Sequence, residues 1–291
     1  MKALLYAADD LYQRCIYERP KPGFRNRLIQ QIPRPDFREK AERFSRDGIL
    51  VLPAYFSDGL LQGLREEFER WITGREADET GRRGLNESKG VQLKNSPTLS
   101  RAAVDPFLTA LAAYYWGKPV LLSMFSGYRL DATNDSREVG PFQWHHDANR
   151  KQVKVLVYLD DVAPDGQRMD YLPGTHKIWH RFRRGKEGYE ETRFSDQAVA
   201  QYGPPVRCAG PAGTVLVFDT NGLHRGNRNP SAKRDIWVFQ YTAGRHRETL
   251  SGIHPDVLRN LEPFQKQTLR SFTKPTSGLL SKRGAAIIAV Q

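Results

Sequence analysis

An antiparallel β sandwich or barrel with its helices gathered at the N-terminal side is the fold this sequence predicts, on three observations. Apolar residues recur at helical spacing up to about Gly117. Beyond that point short β-branched and aromatic runs, broken by Gly, Pro, Asn and Asp, take over. Successive runs also lie too close for the crossover helices of a parallel sheet, and between 142 and 160 two of them are joined by a loop of hairpin length.

Taken in order, residues 1–36 form an N-terminal arm rich in Arg, Pro and Tyr, in which KPGFRNRLIQQIPRP has no clear period. Phe37, Ala41 and Phe44 then share a helix face that Gly48 can end, and ILVL follows as a buried strand. Ser57 is placed to cap a helix with Leu60, Leu61, Leu64, Phe68 and Trp71 on one face. Residues 75–96 are polar and read as a long loop able to cover a site, as does 181–203. Asp105-Pro106 opens a helix lined by Leu108, Leu111, Ala112 and Tyr115 and closed by Gly117. The strands VLLSMFSGYRL, FQWHHD, VKVLVYLD, TVLVFD and DIWVFQYT complete the chain's regular structure. Residues 37–291 are expected to be one domain.

The 291 residues are enough for a sizeable core, and with 39% hydrophobic and 11% aromatic residues a mainly disordered chain is excluded. Two cysteines, Cys15 and Cys208, make no disulfide scaffold and fit a reducing compartment, with a single bridge left open. The early Asp9 and Asp10 do not suit a secretory signal, and no apolar run reaches membrane-spanning length. A cytoplasmic protein with no membrane span is expected. The net charge of +12 favours anionic partners: a nucleic acid, an acidic surface or a small anionic substrate. Solubility accounts for it equally well.

Chemistry concentrates in Trp144-His145-His146-Asp147. On a strand, His145 and Asp147 project from one face while His146 turns away toward the wall. A second imidazole, His224, follows the strand TVLVFD, 77 positions after Asp147, a separation that lets a later strand return beside the first. Two histidines and one carboxylate are the facial set that leaves open positions on Fe(II). Each motif alone occurs often without a metal. Arg234 comes ten residues after His224 and begins the next strand, where a guanidinium can grip the carboxylate of a dicarboxylate co-substrate in two parallel hydrogen bonds.

Several blocks in this order carry a family resemblance: RFSRDGILVLPAYFS, LREEFERW, WHHD, DDVAPDGQRMDYLPGTHK and GLHRGNRNPSAKRDIWVFQYT. Over about residues 37–245 the chain resembles the phytanoyl-CoA dioxygenase-like (PhyH-like) Fe(II)/2-oxoglutarate-dependent oxygenases, which leaves 246–291 as a C-terminal extension. The resemblance implies a mainly β double-stranded β-helix, or jelly-roll (cupin-like), barrel with flanking N-terminal helices. It implies that His145, Asp147 and His224 bind iron, that Arg234 clamps 2-oxoglutarate, and that O2 is the oxidant. Oxidation of an unactivated C–H of a small molecule, usually to an alcohol, is the implied reaction, with desaturation, epoxidation, cyclisation and endoperoxide formation left open, and Asp147 at the carboxylate position disfavours halogenation. Asn229 is expected to shape the turn before Arg234. Gln143, Tyr128 and Thr175 carry donors able to reach the co-substrate, or serve as a surface residue, a core aromatic and a turn cap. Arg168 and Asp170 depart from the family's usual run before PGTHK and read as a surface pair in preference to a substrate contact. His176 is expected to be a turn donor, His180 a surface residue, and Trp144 and Trp237 core residues. The basic run Arg181, Arg183, Arg184 and Lys186, with Arg225 and Arg228, fits an anionic substrate or a solvated face. Two rivals are disfavoured: a nucleic-acid-directed protein, because the basic residues are spread along the chain with no base-stacking motif, and a noncatalytic jelly-roll binding domain, because all three ligands and Arg234 are intact; a small-molecule substrate and no nucleic acid are expected.

Overall fold

The computed structural model describes residues 8, 11–12, 19–77, 82–87, 91–132, 140–147, 151–177, 180, 193–229, 231–243 and 252–268. The basic run at 181–186, Cys15 and the tail beyond 268 lie outside them. Helices come first: α1 (Phe24–Gln31), α2 (Phe37–Asp47), then strand β1 (Ile49–Leu52) and α3 (Asp58–Ile72). After β2 (Arg82–Glu87) come α4 (Val91–Asn95), α5 (Pro97–Ala103) and α6 (Pro106–Trp116). The strands that follow are β3 (Leu121–Leu130), β4 (Trp144–His145), β5 (Val153–Tyr158), β6 (Met169–Tyr171) and β7 (Arg193–Phe194). After a short helix α7 (Asp196–Val199), β8 (Val206–Cys208), β9 (Val215–Asp219), β10 (His224–Gly226) and β11 (Arg234–Thr242) complete the sheets, and α8 (Pro255–Arg259) and α9 (Pro263–Thr268) close the described chain.

Two antiparallel sheets face each other, as the strand pattern predicts. The larger has the order β1-β9-β5-β11-β3-β2 and the smaller β7-β4-β10-β6-β8. Period-two alternation gives the larger sheet two apolar faces. Val153, Val155, Val157, Val217, Trp237 and Phe239 pack outward under the helices. Leu156, Phe218, Ile236 and Val238 pack inward toward the smaller sheet. The helical cover is built on α6, whose residues from Phe107 to Trp116 are all buried. Asp105 starts it by accepting from the Phe107 and Leu108 amides, and Gly117, at φ 68°, ends it in the left-handed region.

Three expectations are corrected. Residues 75–96 are not one loop: Arg82–Glu87 pairs along β3 from Leu130 to Phe125, and α4 follows. The polar composition hid an edge strand, since RRGLNE has one large apolar residue in six and so no alternation to mark it. The arm contains α1, which buries Leu28 beside α6. Ser57 stands at the N-cap of α3 but makes no capping hydrogen bond. No helix among the described residues is long and apolar enough to cross a membrane.

Candidate metal centre

Two short strands of the smaller sheet bring the imidazoles together. His145 on β4 lies directly opposite His224 on β10 in the antiparallel ladder, and their ring centroids are 4.3 Å apart. Asp147 stands just past β4, where its amide donates to the Thr220 carbonyl at 3.0 Å. Its Oδ1 lies 3.5 Å from His145 Nε2 and 3.7 Å from His224 Nε2. One ligand atom from each of the three falls within 4.8 Å of the others, the geometry of a single-ion site.

The ring orientations decide which nitrogen faces inward. His145 Nδ1–H donates to the Gln143 carbonyl at 2.7 Å, and His224 Nδ1–H donates to the Gly222 carbonyl at 2.9 Å. Both Nε2 lone pairs are thereby aimed at the shared point, the usual way in which a backbone acceptor fixes a metal-binding tautomer. Burial, with His145 alongside, pushes His224 down to about 3, so its imidazole is neutral at ordinary pH. Burial by itself would raise Asp147. Lys154 and the two imidazoles overcome it and hold the carboxyl well below its usual range. A divalent cation thus meets two neutral nitrogens and one charged oxygen, and these residues fit iron.

The loop that carries His224 is held from beneath. Asp219 Oδ1 accepts from the Asn221 amide at 2.8 Å, and the Tyr171 hydroxyl donates to the Asp219 carbonyl at 3.0 Å. Tyr115, reaching down from α6, donates to Asp219 Oδ2 at 2.5 Å. At Gly222 a Cβ would overlap the Tyr171 hydroxyl, which is why the chain needs glycine two residues before the ligand.

A cleft of about 800 Å³, counting its open mouth, runs between the sheets from these ligands to Arg234. Arg234 is buried at the start of β11, where its Nη1 donates to the Gln167 carbonyl at 2.5 Å while its Nε finds no protein acceptor. Burial pulls its pKa below the ordinary guanidinium range, against the opposing pull of Tyr158 beside it. A buried guanidinium with a donor to spare fits a carboxylate guest.

Of the further residues the sequence points to, Tyr128 lines the cleft beneath the Arg82 guanidinium, which lies 4.7 Å above its ring. Gln143 and Thr175 are not among the residues lining it. Gln143 works through its carbonyl, the acceptor for His145. The Thr175 hydroxyl is used up, donating to the Leu172 carbonyl at 2.7 Å and accepting from the Leu223 amide at 2.8 Å. Asn229 does shape its turn, accepting from the Ser231 amide at 2.7 Å and donating to the Asp165 carbonyl at 2.8 Å. Arg168 and Asp170 pair at 2.9 Å, but buried and not on the surface, since their side chains are only 12% and 3% exposed. Trp144 and Trp237 are core residues, and His146 is fully buried, its ring 6.0 Å from Phe194. His176 is buried beside Tyr115, and His180 stands edge-on to Tyr202. Sequence reasoning missed Lys154, whose Nζ lies 2.5 Å from Asp147 Oδ2. Its only signal is a lone lysine at an inward position of β5, two residues before Leu156.

Comparison with known proteins agrees with this geometry. The family described as phytanoyl-CoA dioxygenase (PhyH) matches residues 44–236. The chain is 25% identical over 256 residues to an ectoine dioxygenase of Stutzerimonas stutzeri, covering 75% of this chain and 82% of that protein. It is 24% identical to an L-proline trans-4-hydroxylase of Streptomyces griseoviridis, over 73% and 87% of the two chains. Among solved structures, EctD from S. alaskensis with bound Fe superposes with a TM-score of 0.56 at 20% identity, over 70% and 76% of the chains. The epimerase SnoN, in complex with Fe3+, alpha ketoglutarate and nogalamycin RO, gives 0.56 at 21% identity, over 71% and 83%. The barrel is the double-stranded β-helix shared with these structures. With the matched segment covering most of the sequence and the His-Asp-His set inside it, the chain belongs to the phytanoyl-CoA dioxygenase family and is a 2-oxoglutarate-dependent dioxygenase.

Proposed function

We propose that His145, Asp147 and His224 hold Fe(II), that Arg234 grips the distal carboxylate of 2-oxoglutarate, and that the enzyme hydroxylates an unactivated C–H of a small molecule. The observation that carries this is the convergence of two lone-pair-bearing Nε2 atoms and one carboxylate oxygen on a cleft that the buried Arg234 also lines. Bound there, iron with 2-oxoglutarate supplies the activation of O2: one oxygen atom enters the C–H bond as a hydroxyl, the other enters succinate, and CO2 leaves.

The residues do the rest. The Gln143 and Gly222 carbonyls keep both histidines in the ligating tautomer. Arg234 fixes the length and direction of the co-substrate, and Tyr128 is a hydroxyl on the same wall for it to meet. Leu156, Phe218, Ile236 and Val238 make the inner wall apolar, which keeps water from competing at the reacting carbon. Residues 37–291 are read as the catalytic unit, with the segment before them as a packed arm. Anaerobic titration of the iron-loaded protein with 2-oxoglutarate tests the reading. A visible metal-to-ligand charge-transfer band is expected to grow and saturate; iron bound with no band would overturn the assignment.

A further inference from the structure

Lys154 and Arg82 stand on the cavity wall, Lys154 against Asp147 and Arg82 over the Tyr128 ring. Lys154 is the more telling. It is the second residue of β5, on the face that turns inward with Leu156 and Tyr158, where a charged group is costly to desolvate. Asp147 meets that cost only in part. An ammonium has three donors, Asp147 Oδ2 takes one, and the Lys154 side chain remains about one-fifth exposed, at 20%.

Charge counting sharpens the point. Among the described residues lining the cavity, the cations are Arg82, Lys154 and Arg234, and the only carboxylate is Asp147. The two charges of Fe(II) and the two of 2-oxoglutarate cancel, so Lys154 and Arg234 against the single Asp147 leave the loaded cavity net positive between low-dielectric walls. Such a field selects anions. No second carboxylate on the described wall is placed to receive an ammonium, so a zwitterion would carry a charge without a partner. Beside Lys154 the wall is apolar, formed by Met124, Phe142 and Leu156.

We infer that the substrate is a small aliphatic acid whose anionic group is received by Lys154, and that the carbon oxidised lies within a few bonds of that group. The second part follows from distance. Lys154 Nζ touches one oxygen of Asp147, whose other oxygen is 3.5 and 3.7 Å from the two ligand nitrogens. An acid held by this ammonium keeps its nearest carbons beside the metal. Arg82, on the edge strand β2, adds to the field and not to the registry.

The inference rests on the oxygenase reading, and the experiment separates the two. Iron- and 2-oxoglutarate-loaded protein is titrated anaerobically with a straight-chain aliphatic acid, its primary amide and the corresponding amine, following the shift of the charge-transfer band. The acid is expected to bind about tenfold or more tighter than the amide, the step a charge-assisted hydrogen bond supplies. Lys154→Gln should erase that preference, read as the ratio of acid to amide affinity within the same variant, and Lys154→Arg should restore part of it. Product mapping by mass spectrometry should place the new hydroxyl near the acid group. Equal binding of acid and amide, no response to the acid, or a hydroxyl at the far end of the chain would overturn the inference while the oxygenase reading stands. Loss of the band itself in Lys154→Gln would also overturn it, making Lys154 a positioning residue of Asp147. A wild-type protein with bound iron and no band fails at the earlier step.

Discussion

At the scale of single residues the site depends on small orientation choices made by the backbone. His145 and His224 each have Nδ1–H tied to a carbonyl two residues upstream, at Gln143 and Gly222. Arg234 differs from the surface arginines in being buried with its fork only partly used. Replacing it tests the clamp. Arg234→Met should raise the Kd for 2-oxoglutarate by about a hundredfold or more, in line with the roughly 1.5–3 kcal/mol of each charged hydrogen bond lost. Arg234→Lys should recover only part, since an ammonium cannot make the paired bonds. The charge-transfer titration reads both, and an unchanged Kd in Arg234→Met would remove the residue from the co-substrate site. The ligand set was legible in the sequence because H-x-D places two side chains on one strand face and a second histidine after an apolar strand can return beside them. Lys154 was not legible, because a lysine alternating with valines reads as a solvated face until the second sheet is seen to cover it. Gln143 and Thr175 were read for their side-chain donors. One acts through its carbonyl, and the other spends its hydroxyl within its own turn.

At the scale of elements the sequence was clearest where periodicity was strong and weakest at edges. The helices α2, α3 and α6 and the strands β5, β9 and β11 follow directly from their apolar spacing. β2 escaped notice because RRGLNE has one large apolar residue in six and so prints no alternation, and β4 is only two residues long. What joins the elements is a buried polar seam under the His224 loop, where Tyr115 of α6, Asp219 of β9 and Tyr171 of β6 meet. His176 is packed into the same seam, beside the ring of Tyr115 and against Gly48, where a Cβ would overlap its Nδ1. Burial lowers the pKa of His176, with Asp219 and a backbone contact opposing. The folded form therefore disfavours the proton that the unfolded chain accepts below about pH 6.5. Stability is fully present above that pH and is lost as pH falls from there toward the folded pKa. Denaturant midpoints measured between pH 7.5 and pH 5 should thus fall more steeply for the wild type than for His176→Gln. Parallel slopes would show that this histidine contributes nothing to the acid limb.

At the scale of the whole molecule, the described N-terminal segment, the helical cover and the metal centre form one chain of contacts. Arg25 on α1 donates to the Tyr114 and Tyr115 carbonyls at 2.9 and 3.2 Å at the end of α6, where the Gly117 amide also donates to Tyr114 and Lys151 to Tyr115. The Lys21 amide adds a bond to the Gly117 carbonyl at 2.9 Å, and Leu28 is buried. The side chain of the same Tyr115 holds Asp219, and Asp219 shapes the turn that presents His224. A protein beginning at Phe37 therefore loses more than a draped arm. Burial of Leu28 alone is worth roughly 1.5–3 kcal/mol, and in a domain of this size each kcal/mol moves Tm by about 2–4 °C. The truncated protein should melt several degrees lower than the full chain, by differential scanning calorimetry. It should also bind Co(II), a spectroscopic stand-in for iron, more weakly, because the support under His224 has loosened. Addition of metal with 2-oxoglutarate should recover part of the lost Tm, as any ligand specific for the folded state does. An unchanged Tm and Co(II) affinity would instead make the segment from Phe37 onward autonomous, and the hydrogen bonds from Arg25 a surface decoration.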